Sequence, residues 1–392
     1  MKSSLNILIA NTLYLPNIGG VENYIWSVAK TFSQNGHKVN IVCSDHNYSD
    51  NQKLPSFESR EEADVFRYHY YKSIFGFVYQ ILSARKLVKK LNEEVGEYDK
   101  ILARSHQAVL FCRLAGLRKI IYVVPGVYAN QYINRKRWLK PKSFLAYFAN
   151  VMVQWIALRI TYDAVVLSDS MYDQVRTFSK NSVKLRKVPP GVDSSRFYPR
   201  NEIKKNSLRS ELNLPLKVNI ILGLGRFAPV KGYKYAIDAL EYLDNDFHLV
   251  LVGEGPLRTS LKERAKKKEV SERVHIHNAT STPEFYYGAA DLFLLSSTYE
   301  SFGQVLMEAT ASGLPIVAFS QKAGVKTSTE EIYQGYETLV QFSDECSGKA
   351  IAKEIIKTNK LQSMSNRNFI HERNRFLDSY SWDKVANNLL YE

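Results

Sequence analysis

Short apolar runs of strand length alternate with longer stretches of helical period along nearly the whole chain. Residues 5–10 (LNILIA), 38–43 (KVNIVC), 100–103, 119–124 and 164–167 read as strands. Apolar positions at a spacing near 3.6 predict helices over 21–35, closed by Gly36 at a C-cap position, and over about 73–95. Residues 188–199 (VPPGVDSSRFYP) break the pattern, because prolines and a glycine continue neither a helix nor a central strand. The alternation then restarts. Strands are expected at 218–223, 247–252, 274–277, 292–295 and 315–318, with helices at 233–243, 257–268, 283–289 and 303–313. Helices at about 344–359 and 361–380 and a short tail helix from Trp382 complete the chain. Strand–helix repetition implies βαβ units and parallel sheets buried on both faces. The break implies two α/β domains, 1–190 and 200–380.

Length agrees with two domains, since 392 residues is long for one α/β unit. The hydrophobic share (45%) and charged share (23%) are those of a globular protein. Cys43, Cys112 and Cys346 lack metal-ligand spacing, so buried or free thiols in a reducing compartment are expected. No signal peptide is expected, and no uncharged apolar run reaches the length of a membrane span. The net charge of +14 is unevenly spread: residues 1–195 carry 27 Lys and Arg against 15 Asp and Glu, and the remainder 26 against 24. Residues 100–162 contain no acid at all. A one-sided basic face favours an anionic partner, whether membrane, phosphorylated acceptor or nucleic acid.

In open α/β sheets ligands bind beyond the carboxyl ends of the strands, so the loops there hold the candidate chemistry. After the first strand, Gly19-Gly20-Val21-Glu22 opens a helix, where glycines permit close backbone approach and the helix start attracts phosphate. After the first strand of the second half comes GLGRFAPVKG, which sets Arg226 and Lys231 either side of a turn before a helix. Two cations at a helix start form a diphosphate clamp that needs no metal ion. After residues 292–295 comes SSTYESFGQVLME, with Glu300 in the loop and Glu308 inside the next helix. Carboxylates accept bonds from sugar and ribose hydroxyls, and one on an otherwise apolar helix needs a partner. Asp244-Asn245-Asp246 falls between a helix and a strand, where a turn rather than a metal site is expected; no metal and no cofactor are expected.

Together these segments resemble the family 4 retaining glycosyltransferases of GT-B fold, of bacterial surface-polysaccharide type. The resemblance covers nearly the whole chain. It rests on Gly19-Gly20-Val21-Glu22, Pro190-Gly191-Val192-Asp193 followed by Phe197, Gly225-Arg226 with Lys231-Gly232, Val252-Gly253-Glu254-Gly255-Pro256, and Glu300 and Glu308 spaced as E-x7-E. It implies an α/β fold of two Rossmann-like domains facing each other across a cleft, with the tail helix, 381–392, returning to the first. It further implies a donor site of Gly19, Gly20, Arg226, Lys231, Ser301, Phe302, Gly303, Gln304 and Glu308. Arg226 and Lys231 would hold the diphosphate of a UDP- or GDP-sugar, Glu308 the ribose, and Glu300 the transferred sugar. Many relatives carry a histidine after the fourth strand. Here Arg104 stands nearest that place and His106 follows two residues on, so His106 joins Glu300 as a candidate catalytic residue, with a packing role as its alternative.

The first domain would take the acceptor, and its basic character suggests a lipid-linked or phosphate-bearing glycan. Arg135, Lys136, Arg137, Trp138 and Lys140 have the make-up of an interfacial anchor. The apolar stretch that follows, 144–158, is expected to bury its inner face as a core helix. The resulting reading is a cytoplasmic, metal-independent hexosyltransferase held on the inner face of the membrane by an anionic lipid surface, with no nucleic-acid partner. Two alternatives stand beside it: a nucleotide-sugar epimerase of the same architecture, and a basic nucleic-acid-binding protein that would leave Glu300 and Glu308 without a purpose.

Overall fold

The computed structural model describes residues 4–17, 19–48, 50–72, 76–131, 141–180, 183–300, 302–362 and 367–391. The chain divides into two compact units, Met1–Pro190 with Trp382–Glu392, and Gly191–Ser381.

Among the described residues the first unit holds strands β1 (Asn6–Ala10), β2 (Lys38–Ser44), β3 (Phe57–Ser59), β4 (Asp64–Tyr68), β5 (Lys100–Ala103), β6 (Ile120–Val123), β7 (Asp163–Val166) and β8 (Leu185–Lys187). They form one sheet in the order β3-β4-β2-β1-β5-β6-β7-β8. Pairings are parallel except β3 on β4. The helices are α1 (Gly20–Gln34), α2 (Gly76–Val95), α3 (His106–Leu114), α4 (Tyr128–Gln131), α5 (Pro141–Ile160) and α6 (Asp169–Ser179). Strand order reverses on either side of β1, so the loops after β1 and β5 flank the switch point where Rossmann-like sheets bind ligands. Leu8, Val42, Ile101 and Ile120 on the sheet pack against Val88 of α2 and Phe111 of α3.

The second unit repeats the plan. Its strands are β9 (Asn219–Leu224), β10 (Phe247–Val252), β11 (Val274–His277), β12 (Leu292–Leu295), β13 (Tyr299–Glu300), β14 (Ile316–Phe319), β15 (Lys326–Thr327) and β16 (Val340–Ser343). Helices α7 (Glu202–Glu211), α8 (Tyr233–Ala239), α9 (Arg258–Lys267), α10 (Pro283–Ala289), α11 (Gln304–Ala311), α12 (Thr329–Ile332), α13 (Gly348–Gln362) and α14 (Arg367–Ser379) accompany them. The main sheet is parallel in the order β11-β10-β9-β12-β14-β16, and β13 pairs with β15 apart from it. Here the switch point lies between β9 and β12. Ile221, Leu249, Leu294 and Val317 face Ile237 and Ile355 in a continuous core.

The chain ends in α15 (Trp382–Tyr391), which packs in the first unit. Trp382 sets its ring edge-on to Tyr24 of α1 at 5.4 Å, and Asn388 gives its carbonyl to the Arg186 guanidinium at 2.8 Å.

Helix α5 buries its inner face in the core of the first unit, as expected, through Ala157 and Leu158. It docks by a stripe of Tyr147, Asn150, Gln154, Ala157 and Leu158, spaced as one face of a helix. Gln154 is buried and fully engaged: its Oε1 accepts the Tyr128 N–H at 2.8 Å, and its amide nitrogen donates to the Gly126 carbonyl at 2.7 Å. The apolar side, Phe144, Leu145, Phe148, Met152 and Trp155, faces outward, with Leu145 68% exposed and Phe148 52%. The helix therefore buries a mixed inner face, where Ala157 and Leu158 join the hydrophobic core and Gln154 satisfies backbone groups of the loop 126–129, and leaves a second apolar face outward. Arg135, Lys136, Arg137, Trp138 and Lys140 lie outside the described residues.

Candidate active site

Two loops of the second unit meet at its switch point. The first follows β9 and ends in a 3₁₀ turn, Pro229–Lys231, that leads into α8. The second follows β12. They are joined through backbone: the Thr298 N–H donates to the Val230 carbonyl at 2.8 Å, and the Ser296 hydroxyl to the Lys231 carbonyl at 2.9 Å. Gly232 makes the approach possible. It has a φ of +62°, and a Cβ there would stand 2.0 Å from the Ser296 carbonyl oxygen. The consequence is an ion pair between the Lys231 ammonium and the Glu300 carboxylate, both largely buried. Arg226, on the same loop, is exposed and has no ion pair among the described residues.

Gly303 caps α11 with φ +91°, and a Cβ on it would crowd Leu306 and Glu300. Among the described residues no side chain caps this helix start. Its first N–H groups therefore suit a phosphate or a sugar oxygen. Phe302 is buried beneath the turn, and Gln304 is the first residue of the helix. Ser301 lies outside the described residues.

Glu308 lies one turn along α11, only 8% exposed. Its carboxylate accepts a hydrogen bond from the Tyr287 hydroxyl at 2.9 Å. Burial pushes the carboxyl up to about 7, against the opposing pull of the Tyr287 bond and the charge of Arg196. Asp244 and Asp246 sit in the turn entering β10, at the opposite end of the strands from this site, with Asp246 accepting from Asn219 at 2.8 Å.

In the first unit, the loops after β1 and β5 bring Gly19, Gly20, Arg104 and His106 to one switch point. A Cβ on Gly20 would meet open space, whereas one on Gly19 would lie 2.5 Å from a Glu22 carboxylate oxygen, so α1 begins beneath its own acid. His106 starts α3 after Ser105, whose hydroxyl accepts the Ala108 N–H at 3.1 Å. Its Nε2 lies 2.9 Å from Asn150 Oδ1 on α5. Burial lowers its pKa, so the ring is neutral near pH 7. Sequence reasoning missed the environment of Arg104. This guanidinium is buried, lies 4.2 Å above the Tyr24 ring and donates to the Val123 carbonyl at 3.1 Å, with its Nε left unpartnered. A basic residue directly after an apolar strand was the signal available.

Comparison with known proteins decides what this pair of units is. The family model described as Glycosyltransferase Family 4 matches residues 18–196, and the one described as Glycosyl transferases group 1 matches residues 204–372. The chain is a family 4 glycosyltransferase.

Similarity to mannosylfructose-phosphate synthase of Agrobacterium fabrum reaches 36% identity, over 33% of this chain and 31% of that enzyme, so the match spans about a third of that relative's length. The α-monoglucosyldiacylglycerol synthase of Streptococcus pneumoniae is 25% identical over 78% of this chain and 69% of its own. Among solved structures, the Anabaena protein HepE in complex with UDP-glucose superimposes with a TM-score of 0.74 at 15% identity, over 98% of both chains. The glycosyltransferase thus has the GT-B fold, and among its described residues no helix is long and apolar enough to cross a membrane.

Proposed function

We propose that this glycosyltransferase moves a hexose-type sugar from a UDP- or GDP-sugar to a lipid-linked or cell-surface glycan acceptor, with retention and without a metal ion. The observation that carries the reading is the convergence of Arg226, Lys231, Glu300, the uncapped start of α11 and buried Glu308 at one switch point. Arg226 and Lys231 stabilise charge that develops on the leaving diphosphate. Glu308 accepts the ribose hydroxyls, and Glu300 with the backbone of 302–304 holds the transferred sugar. The bond from the anomeric carbon to phosphate breaks, and a bond to the acceptor oxygen forms on the same face. The acceptor proton passes to the departing phosphate oxygen, giving the glycoside and the free nucleoside diphosphate. HepE, a structure of this fold, was solved with UDP-glucose, which supports a nucleotide-sugar donor.

The exposed apolar stripe of α5 supports a peripheral place on an anionic bilayer. It lies within the acid-free span 100–162, and Arg159 lies 3.9 Å above the Trp155 ring at its end. Apolar and aromatic groups beside cations suit the headgroup boundary. The name of the pneumococcal relative, a diacylglycerol glucoside synthase, supports a lipid-linked acceptor. Donor identity is tested by thermal shift with UDP-, GDP- and ADP-sugars, because a ligand of the folded state raises Tm. No shift with any of them overturns the donor reading, and an inverted anomeric centre in the product's NMR spectrum overturns retention.

A further inference from the structure

Among the described residues, the Glu308 side chain has one hydrogen-bond partner, the Tyr287 hydroxyl, 2.9 Å from its Oε2. Tyr287 stands on α10 and is 1% exposed. Phe197 meets its ring edge-on at 5.6 Å, and Phe293 of β12 lies against it at 5.7 Å. Burial holds its hydroxyl well above the ordinary tyrosine pKa, so it keeps its proton wherever a carboxyl titrates. The same hydroxyl lies 3.2 Å from the Val305 carbonyl oxygen in the first turn of α11. A tyrosine hydroxyl carries one hydrogen, so it donates to one of these two acceptors at a time.

This choice of acceptor keeps the pair bonded in either state of the acid. With Glu308 ionised, the hydrogen points to the carboxylate, which makes the stronger, charge-assisted bond. With Glu308 protonated, the acid hydrogen points to the tyrosine oxygen, and the tyrosine hydrogen turns to Val305. Neither arrangement strands a buried polar atom of the pair.

The charged groups around Glu308 are already committed. Arg196 donates to Glu284 at 2.9 Å, and the two act on Glu308 with opposite sign. Tyr333 and Arg373, which also pack on α11, bond to Thr310. Burial raises the acid to about 7, and the Tyr287 bond opposes it by favouring the ionised form. An ionised carboxylate accepts both hydroxyls of a ribose diol, whereas a protonated one has a hydrogen in place of a lone pair. Oε1 accepts no hydrogen bond among the described residues, and Glu308 keeps 8% of its surface exposed to a ligand.

We propose that Tyr287 is a positioning residue, whose hydroxyl holds Glu308 ionised and oriented for the ribose diol of the donor and turns to Val305 when Glu308 is protonated. The proposal rests on the reading that Glu308 binds the ribose, and adds what sets the charge of that carboxylate.

Tyr287→Phe tests it on the full chain, with UDP and GDP as probes in calorimetric titrations between about pH 5.5 and pH 9. Loss of a hydrogen bond to a charged group should move the midpoint of the affinity curve up by about one pH unit. Near pH 7 the variant should bind about five- to tenfold more weakly, and the deficit should narrow toward pH 9. Phosphate titration of the probes is common to both proteins and cancels in the ratio. A merely structural loss would weaken binding by the same factor at every pH. Carboxyl ¹³C NMR of glutamate-labelled protein reads Glu308 without nucleotide, its signal assigned by its absence in Glu308→Gln. That midpoint should rise in Tyr287→Phe. It should fall slightly with 3-fluorotyrosine in place of Tyr287, which keeps the ring and makes the hydroxyl a stronger donor. A deficit constant with pH, or an NMR midpoint unmoved by both replacements, overturns the proposal. If neither probe binds the parent at any pH while the NMR midpoint moves as expected, the donor reading is overturned and the control of Glu308 by Tyr287 stands.

Discussion

The two units share a parallel sheet and a switch point, but the loops they hold there differ in chemistry. In the second unit the switch point is ionic. Lys231 is paired with Glu300, Arg226 is exposed, and Glu308 is a buried acid. In the first unit the strand ends carry tyrosines, neutral amides and hydroxyls, and the cation Arg104 is buried beneath Tyr24. The overall charge runs the other way, since the first half carries almost all of the net excess. Net charge therefore does not locate the anion-binding site. On the reading proposed above, the basic excess of the first half acts on a partner as large as a membrane. The second half carries 26 Lys and Arg against 24 Asp and Glu, nearly balanced in sign, and at its switch point Lys231 and Glu300 are set against one another.

Substitutions in the ionic site should separate the units most sharply. Arg226→Ala and Lys231→Ala are each expected to lower turnover by on the order of 10²-fold, as loss of one preorganised charge-stabilising group does. Steady-state kinetics at saturating acceptor reads the effect, and parent turnover in both variants would refute the clamp.

Glu308 should give the next largest effect, on stability. Its carboxyl is raised to about 7 in the folded protein, above its ordinary value of 4.5. The folded state thus binds this proton more tightly than the unfolded chain. The associated stability is present below about pH 4.5 and lost as pH rises through 7. At about 1.4 kcal/mol per pH unit the loss is at most about 3 kcal/mol. Glu308→Gln, which keeps an acceptor for the Tyr287 hydroxyl, should gain Tm relative to the parent between pH 5 and pH 8. Parallel curves across that range would contradict the raised pKa.

For the membrane face, Leu145→Ser, Phe148→Ser and Met152→Ser together should sharply reduce co-sedimentation with anionic liposomes at low salt. Turnover on a soluble acceptor should be unaffected. Arg135, Lys136 and Arg137 changed to Ser should weaken the binding by roughly 1 kcal/mol per cation at most, and salt should weaken it for the parent. Equal binding to neutral vesicles would point away from charge. The smallest effect is expected from EDTA: transfer should proceed unchanged, and an absolute need for Mg²⁺ or Mn²⁺ would revive Asp244 and Asp246.

What could be read beforehand follows from how local the signal is. The strands 247–252, 274–277 and 292–295 are apolar runs between turn residues, and each forms where the pattern puts it. Strand β4, DVFRY, was passed over because its charged residues interrupt the apolar run and are matched only across the β3–β4 hairpin, with Arg67 paired to Glu58 and Asp64 accepting from Ser59. Helices α3, α6 and α7 were also missed. Each of them begins with a side-chain cap, from Ser105, Ser168 and Asn201, and a cap is a weaker mark than a run of apolar residues. The loops of the ionic site were legible as motifs. That Lys231 and Glu300 pair was not, since they are 69 residues apart and meet only through the backbone joint at Gly232. The core face of helix α5 was legible, but its outward apolar face was not. Its apolar residues outnumber the polar ones, yet Asn150 and Gln154 supply the bonds that orient it.

On the donor reading proposed above, the Lys231–Glu300 pair makes the site selective about what enters it. An anion arriving at Lys231 has to displace a carboxylate already in place, and a bare phosphate offers Glu300 nothing in exchange. A ligand that brings phosphate and hydroxyls together satisfies both partners at once. Once the sugar has gone, the nucleotide left behind has lost half of that exchange, and Glu300 competes again for the lysine. The same contact that screens entrants thereby favours departure of the spent nucleotide.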